Sequence, residues 1–245
     1  MGRLEDARKE LRKYADKEKA RVLRGFFKTG PGEYGEGDIF LGVTVPFTRK
    51  VVKAFNDLEL SYLLKFLRSK IHEERFLALL ILVQQFNQAN SETKNKIYKA
   101  YLANTKFINN WDLVDLSAPQ IVGGFLIDKD RGVLSKLAQS PSLWERRIAI
   151  LATFAFIKNN DFDDVFRITK FLLSDKEDLI HKACGWMLRE VGKRDLPTLE
   201  GFLEEHAAAM PRTMLRYAIE KMTPERRKYF MLKRILTCCA TVRPV

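Results

Sequence analysis

Near the middle of the chain, Asn109 to Pro119 reads N-N-W-D-L-V-D-L-S-A-P, and it sets an indole, Trp111, four residues before a carboxylate, Asp115. Spacing of four puts both side chains on one face of a helix. Positions one repeat further along carry Arg147 and Trp186. Indole faces attract cations and stack on bases, a carboxylate stabilises developing positive charge, and a guanidinium clamps phosphate. A cationic nucleotide with an electron-poor sugar matches that set. Hydrolysis of an N-glycosidic bond passes through an oxocarbenium-like state, which a nearby carboxylate favours while positioning water. A base already charged by alkylation leaves without an acid to protonate it, so a second carboxylate is not required. The same residues also admit structural roles: Trp111 and Trp186 as core anchors, Asp115 and Arg147 as a salt bridge between repeats, Asp112 as a first-turn carboxylate facing its helix N-terminus. Trp144 reads as core.

Helices must present these residues. Residues 3 to 24 carry an amphipathic stripe at Leu4, Ala7, Leu11, Tyr14 and Ala15. Beyond the Pro46 that suits a first helical turn, periodicity predicts helices over 46–56, 59–69, 72–88, 91–104, 110–127, 130–139, 142–158, 162–174, 177–193, 195–209, 211–222 and 224–236, with almost no strand signal. Loops of two to four residues predict antiparallel αα-hairpins. Aligning E-R-F-L-A-L-L, N-W-D-L-V-D-L, R-R-I-A-I-L-A, H-K-A-C-G-W-M and L-R-Y-A-I-E-K sets Arg75, Trp111, Arg147, Lys182 and Arg216 at one equivalent position, at spacings of 36, 36, 35 and 34 residues. Four residues on stand Leu79, Asp115, Leu151, Trp186 and Glu220. Helix pairs at such a period predict an all-α fold, an α-α superhelix of the HEAT type, over residues 1–245 as one domain. In it the basic positions stack into a stripe along a concave, duplex-binding groove.

Between the first helix and Pro46 lies a loop with Gly30, Pro31, Gly32, Gly35 and Gly37. Gly30, Gly32 and Gly35 fit G-x-G-x-x-G, yet no strand precedes them, Pro31 lacks an amide donor, and Glu33 and Glu36 would repel phosphate. A shaped surface loop, with Tyr34 and Phe40 packing or reaching a ligand, is the expectation.

Net charge is +12, from 43 Lys and Arg against 31 Asp and Glu. Nucleic acid leads as the partner, ahead of an acidic membrane surface or acidic protein. No secretion signal or myristoylation pattern opens the sequence, and the longest apolar run, Phe76 to Val83, is far short of a membrane span. A soluble, cytoplasmic, monomeric protein is expected. Cys184 and the adjacent Cys238 and Cys239 make neither a disulfide framework nor a metal knuckle. His72, His181 and His206 are scattered, read as surface or helix-end residues, and no metal site is expected.

On four stretches the chain resembles the AlkD-like DNA alkylation repair glycosylases: Phe26 to Pro46, Asn109 to Asp115, W-E-R-R-I-A-I at Trp144 to Ile150, and A-C-G-W-M-L-R-E at Ala183 to Glu190. The resemblance spans about residues 5 to 225. It implies a helical solenoid that grips duplex DNA and excises N3- or N7-alkylated purines, leaving an abasic site without metal, nucleotide or other cofactor. Trp111 and Trp186 would flank the lesion nucleotide, Asp115 would stabilise the oxocarbenium and align water, and Arg147 would hold the backbone. Arg75, Lys182, Arg216 and Tyr34 are the further DNA-contact candidates. A non-catalytic DNA-binding solenoid and a protein-interaction scaffold remain alternatives.

Overall fold

Apolar residues recur every three to four positions along most of the chain, and each such stretch buries one face as a helix. A computed structural model describes residues 2–240, with side chains described through residue 233. Cys238 and Cys239 therefore lie outside the residues whose side chains are described. Among the described residues there is no named strand, and one isolated bridge joins Ile39 to Ile71.

The helices gather into two compact units, one running through Phe125 and the other starting at Leu126. The first holds α1 (Gly2–Arg12), α2 (Lys17–Phe26), α3 (Val45–Phe55), α4 (Leu60–Leu67), α5 (His72–Gln88), α6 (Ser91–Leu102) and α7 (Trp111–Ala118). After α7 the chain continues through a π turn, Pro119–Gly123, into the short α8 (Gly124–Leu126). Helix α5 is the spine of this unit, packing on α3, α4 and α7. It is buried on nearly every side, including its first four residues, His72, Glu73, Glu74 and Arg75.

The second unit holds α9 (Gly132–Ala138), α10 (Leu143–Ala152), α11 (Phe154–Ile157), α12 (Asp163–Phe171), α13 (Asp178–Gly192), α14 (Leu196–His206), α15 (Arg212–Ala218) and α16 (Pro224–Ala240). Here α13 is the spine, in contact with α10, α12, α14 and α15. Gly185 explains how closely α13 and α15 approach. A Cβ at that position would lie 2.4 Å from the Met214 carbonyl oxygen and 2.5 Å from Tyr217 Cβ.

Three expected helices are interrupted. The N-terminal stripe breaks before Asp16, whose side chain accepts from the Glu18 and Lys19 amides and starts α2 as its N-cap. The Asp16 amide donates instead to the Leu41 carbonyl at 2.9 Å, so docking of the following loop decides the break. The 110–127 span widens at Pro119, which has no N–H to give the Asp115 carbonyl four residues back. The 142–158 span divides at Thr153 into α10 and α11.

The loop from Phe27 to Thr44 is tied down by three devices. Gly35 donates to the Lys28 carbonyl at 2.9 Å, and a side chain there would press within 2.3 Å of the Phe27 carbonyl oxygen. Gly42 has φ of +83° and faces the start of α2, where a Cβ would lie 2.0 Å from the Asp16 carbonyl oxygen. Buried Glu73 completes the clamp, its Oε1 accepting from the amides of Leu41, Gly42 and Val43 at 3.0, 2.8 and 3.2 Å. Glu33 and Glu36, expected to repel phosphate, accept from the loop's own Gly30 and Gly32 amides.

Candidate active site

The start of α7 is set by Asn110, fully buried, whose side-chain oxygen accepts from the Trp111 amide at 2.8 Å. Leu113, Val114, Ser117 and Ala118 turn inward. Tyr101 fixes that inner face through a 2.9 Å contact to Ser117 Oγ. Trp111, Asp112 and Asp115 fall on the remaining, half-buried face. The expected pairing of indole and carboxylate on one side of a helix is therefore present.

Aromatic rings support the indole. Trp111 stacks on Phe27, with centroids 5.3 Å apart and planes 21° apart, and meets Phe26 edge-on at 5.8 Å. Phe27 in turn stacks on Phe40 at 5.1 Å. Phe40 thus packs, one of its two expected uses, while Tyr34 is half-buried in the glycine loop. Beside the stack opens an apolar cleft of about 640 Å³, lined by Val22, Phe26, Phe27, Val45, Phe76 and Trp111 among others. Phe26 is 60% exposed there and Val22 65%, so a large apolar surface adjoins the indole.

Behind the stack lies a buried polar network. His72 reaches Asp38 through Nδ1 at 3.0 Å and Asp112 through Nε2 at 2.8 Å. Arg75 donates to the same Asp38 oxygen at 2.6 Å and to the Ser69 carbonyl at 2.9 Å. Burial penalises the Asp38 charge, but the His72 hydrogen bond and the Arg75 guanidinium outweigh it and hold its carboxyl below the ordinary range. Of its two expected placings, His72 takes the helix end, opening α5, and is buried there. Arg75, expected in the DNA-facing stripe, is 3% exposed, because Asp38 of the glycine-rich loop folds over and neutralises it.

In the second unit, Arg147 is buried on α10 and donates to the Leu179 carbonyl. The expected continuous surface stripe therefore does not form, since two of its cations, Arg75 and Arg147, point inward. Trp186 is half-buried on α13, 6.3 Å from Phe154 between ring centroids, with Nε1 donating to Glu190 at 3.1 Å. Its indole N–H is thus satisfied and its ring partly open. Trp144, expected in the core, is half-buried. Lys182 and Arg216 do come together, lining a cleft of about 340 Å³ with Asp178, Thr213, Tyr217 and Glu220. Lys182 pairs with Asp178 at 2.7 Å, and Arg216 is exposed.

Among the described residues, no group of three or more His, Cys, Asp or Glu is placed to hold a metal ion. No helix among them is long and apolar enough to cross a membrane.

Residues that periodicity did not single out, Asp38, His72, Glu73 and Phe27, support the Trp111 face and the loop beside it. The H-E-E-R run at the start of α5 was the available signal. Four consecutive charged or polar residues preceding F-L-A-L-L-I-L-V would ordinarily be exposed, and here all four are buried.

The sequence is similar to known proteins over most of its length. The model of a family described as DNA alkylation repair enzyme matches residues 7–222. No curated protein matches the sequence. Among solved structures, one described as a predicted DNA alkylation repair enzyme from Enterococcus faecalis is similar at 15% identity and a TM-score of 0.68, covering 86% of this chain and 97% of that one. At that identity the likeness speaks for the fold, and the expected all-α class, an α-α superhelix, holds.

Proposed function

The chain belongs to the DNA alkylation repair enzyme family, and from that premise we propose that it is a monofunctional glycosylase that removes cationic alkylated purines, 3-methyladenine and 7-methylguanine, from duplex DNA. The observation that carries the proposal is the outer face of α7. There a carboxylate, Asp115, and a ring-supported indole, Trp111, stand on the same half-open side of one helix.

In the proposed reaction the N-glycosidic bond breaks heterolytically, and its electron pair leaves with the base. A cationic base departs neutral, so no acid is called for. The sugar becomes an oxocarbenium-like cation, which Asp115 stabilises electrostatically. Water adds at C1′, its proton passing to Asp115 or solvent, and an abasic site remains. Trp111 presents its electron-rich face to the positively charged nucleotide. By motif, Trp186 flanks the lesion nucleotide, whereas Arg147, turned inward onto the Leu179 carbonyl, is removed from the proposed backbone contact. Lys182 and Arg216 contribute phosphate contacts, which a net charge of +12 supports. Tyr34 stays a candidate contact from the loop, whereas the burial of Arg75 removes it from the proposed interface.

The test is release of free methylpurine from methylated duplex, followed by chromatography with no added metal. Wild-type protein releases base and leaves alkali-labile abasic sites. Binding to the duplex without any release would instead make the chain a non-catalytic DNA-binding member of the family.

A further inference from the structure

The buried polar groups at the start of α5 take no part in the chemistry above, yet His72 among them lies behind the ring that carries Trp111 and touches Asp112 on the same helix as Asp115. An ionised carboxylate only accepts hydrogen bonds. His72 touches one such group at each ring nitrogen, Asp38 on one side and Asp112 on the other. Both contacts are hydrogen bonds only when the ring carries a proton on each nitrogen. Charges then balance, with Asp38 and Asp112 against His72 and Arg75.

Helical geometry connects this network to the site. At 3.6 residues per turn, Asp115 projects about 40° from Trp111 and about 60° from Asp112, between the two. Trp111 is seated on Phe27 at 5.3 Å, and His72, which holds Asp112, lies 5.0 Å from the same ring. Phe40 covers the imidazole at 4.5 Å. One anchor thus stands on each side of Asp115, and Phe27 is common to both.

We infer that His72 is a positioning residue: clasped between Asp38 and Asp112, its imidazolium fixes the rotation of α7 about its own axis and so the direction in which Trp111 and Asp115 are presented. Its effect on rate rests on the glycosylase proposal, whereas its effect on α7 does not. Burial works against the charge on His72, but the bonds from Asp112 and Asp38 outweigh it and hold its pKa above the ordinary value. The charged groups around the ring are Asp38 from the loop, Asp112 from α7 and Arg75 from its own helix. Glu73, next to it on α5, is turned to the loop amides, and Glu18 and Lys19 of α2 line the adjoining cleft.

The test follows the Trp111 indole N–H by NMR, assigned with Trp111→Phe, across a pH series in wild type, His72→Gln and Asp112→Asn. Single-turnover base release and duplex affinity are measured on the same proteins. In wild type the Trp111 signal should move with one titration as His72 loses its proton; in His72→Gln that titration should vanish, and in Asp112→Asn it should move to lower pH and shrink. Release should fall about 10- to 100-fold in either variant, as expected for a misplaced catalytic group, with affinity little changed. The double variant should lose no more than either single one. Should His72→Gln fail to fold, Asp112→Asn, altered at the more exposed end of the pair, decides alone. A Trp111 signal that titrates identically in Asp112→Asn, or an unchanged release rate in that variant, overturns the inference. If the signal behaves as expected but wild-type protein releases no base, the glycosylase proposal fails and the positioning role stands.

Discussion

Asp115 and Trp111 were legible from spacing alone, because four residues apart on any helix means one shared face. Their support was not. Asp38, His72 and Asp112 are separated by 34 and 40 residues, and nothing in local periodicity brings them together. The network leaves a signature in pH. His72 is held above its ordinary pKa of 6.5, so the stability it contributes is fully present below that value and is lost as pH rises through the higher folded value. Urea unfolding should therefore show wild-type protein losing stability as pH rises from 6.5 through the higher folded value. His72→Gln should be less stable at the acid end and should lose that part of the pH dependence. Phe27 is the second support. Buried to 7% exposure between Trp111, Phe40 and His72, it should cost about 3–5 kcal/mol of stability on replacement by Ala. Its loss should also shift tryptophan emission to longer wavelength as the Trp111 ring is exposed.

At the scale of elements, α5 and α6 stand nearly where apolar periodicity puts them, at His72–Gln88 and Ser91–Leu102. Long stripes that bury one whole face leave little choice. Breaks were illegible where tertiary contacts make them. Asp16 reads as one more polar residue in an amphipathic stripe until Leu41 and Gly42 dock against it. The loop likewise reads as surface, and much of it is, but its Asp38 reaches inward to cap a buried arginine. Close approach of α13 and α15 depends on Gly185, and Gly185→Ala should force a carbonyl and a Cβ apart. Overpacking of this kind costs about 1–3 kcal/mol. Thermal melting should register it as a lowered midpoint, whereas Gly201→Ala, with open space around its Cβ, should melt at or above wild type.

For the whole molecule, charge rather than shape was the readable quantity. A net charge of +12 predicts duplex affinity that falls steeply with salt, log K against log salt sloping by about −0.9 for each phosphate neutralised. Lys182→Ala and Arg216→Ala should each weaken binding to every sequence alike and flatten that slope by about one unit. Arg75→Ala should leave the slope unchanged, since Arg75 is buried against Asp38, out of reach of a phosphate. Repeat spacing sets equivalent positions without setting which of them face outward, because an arginine at a helical repeat position reads the same whether it meets water or, as Arg75 does, a buried carboxylate. The most direct measurement is single-turnover release of 7-methylguanine from a duplex carrying one such base, wild type beside Asp115→Asn, with binding measured in parallel. Release should fall by about 10²-fold or more in Asp115→Asn, as for loss of one electrostatic stabiliser, while binding persists. Equal release from both proteins would remove Asp115 from the chemistry and contradict the account.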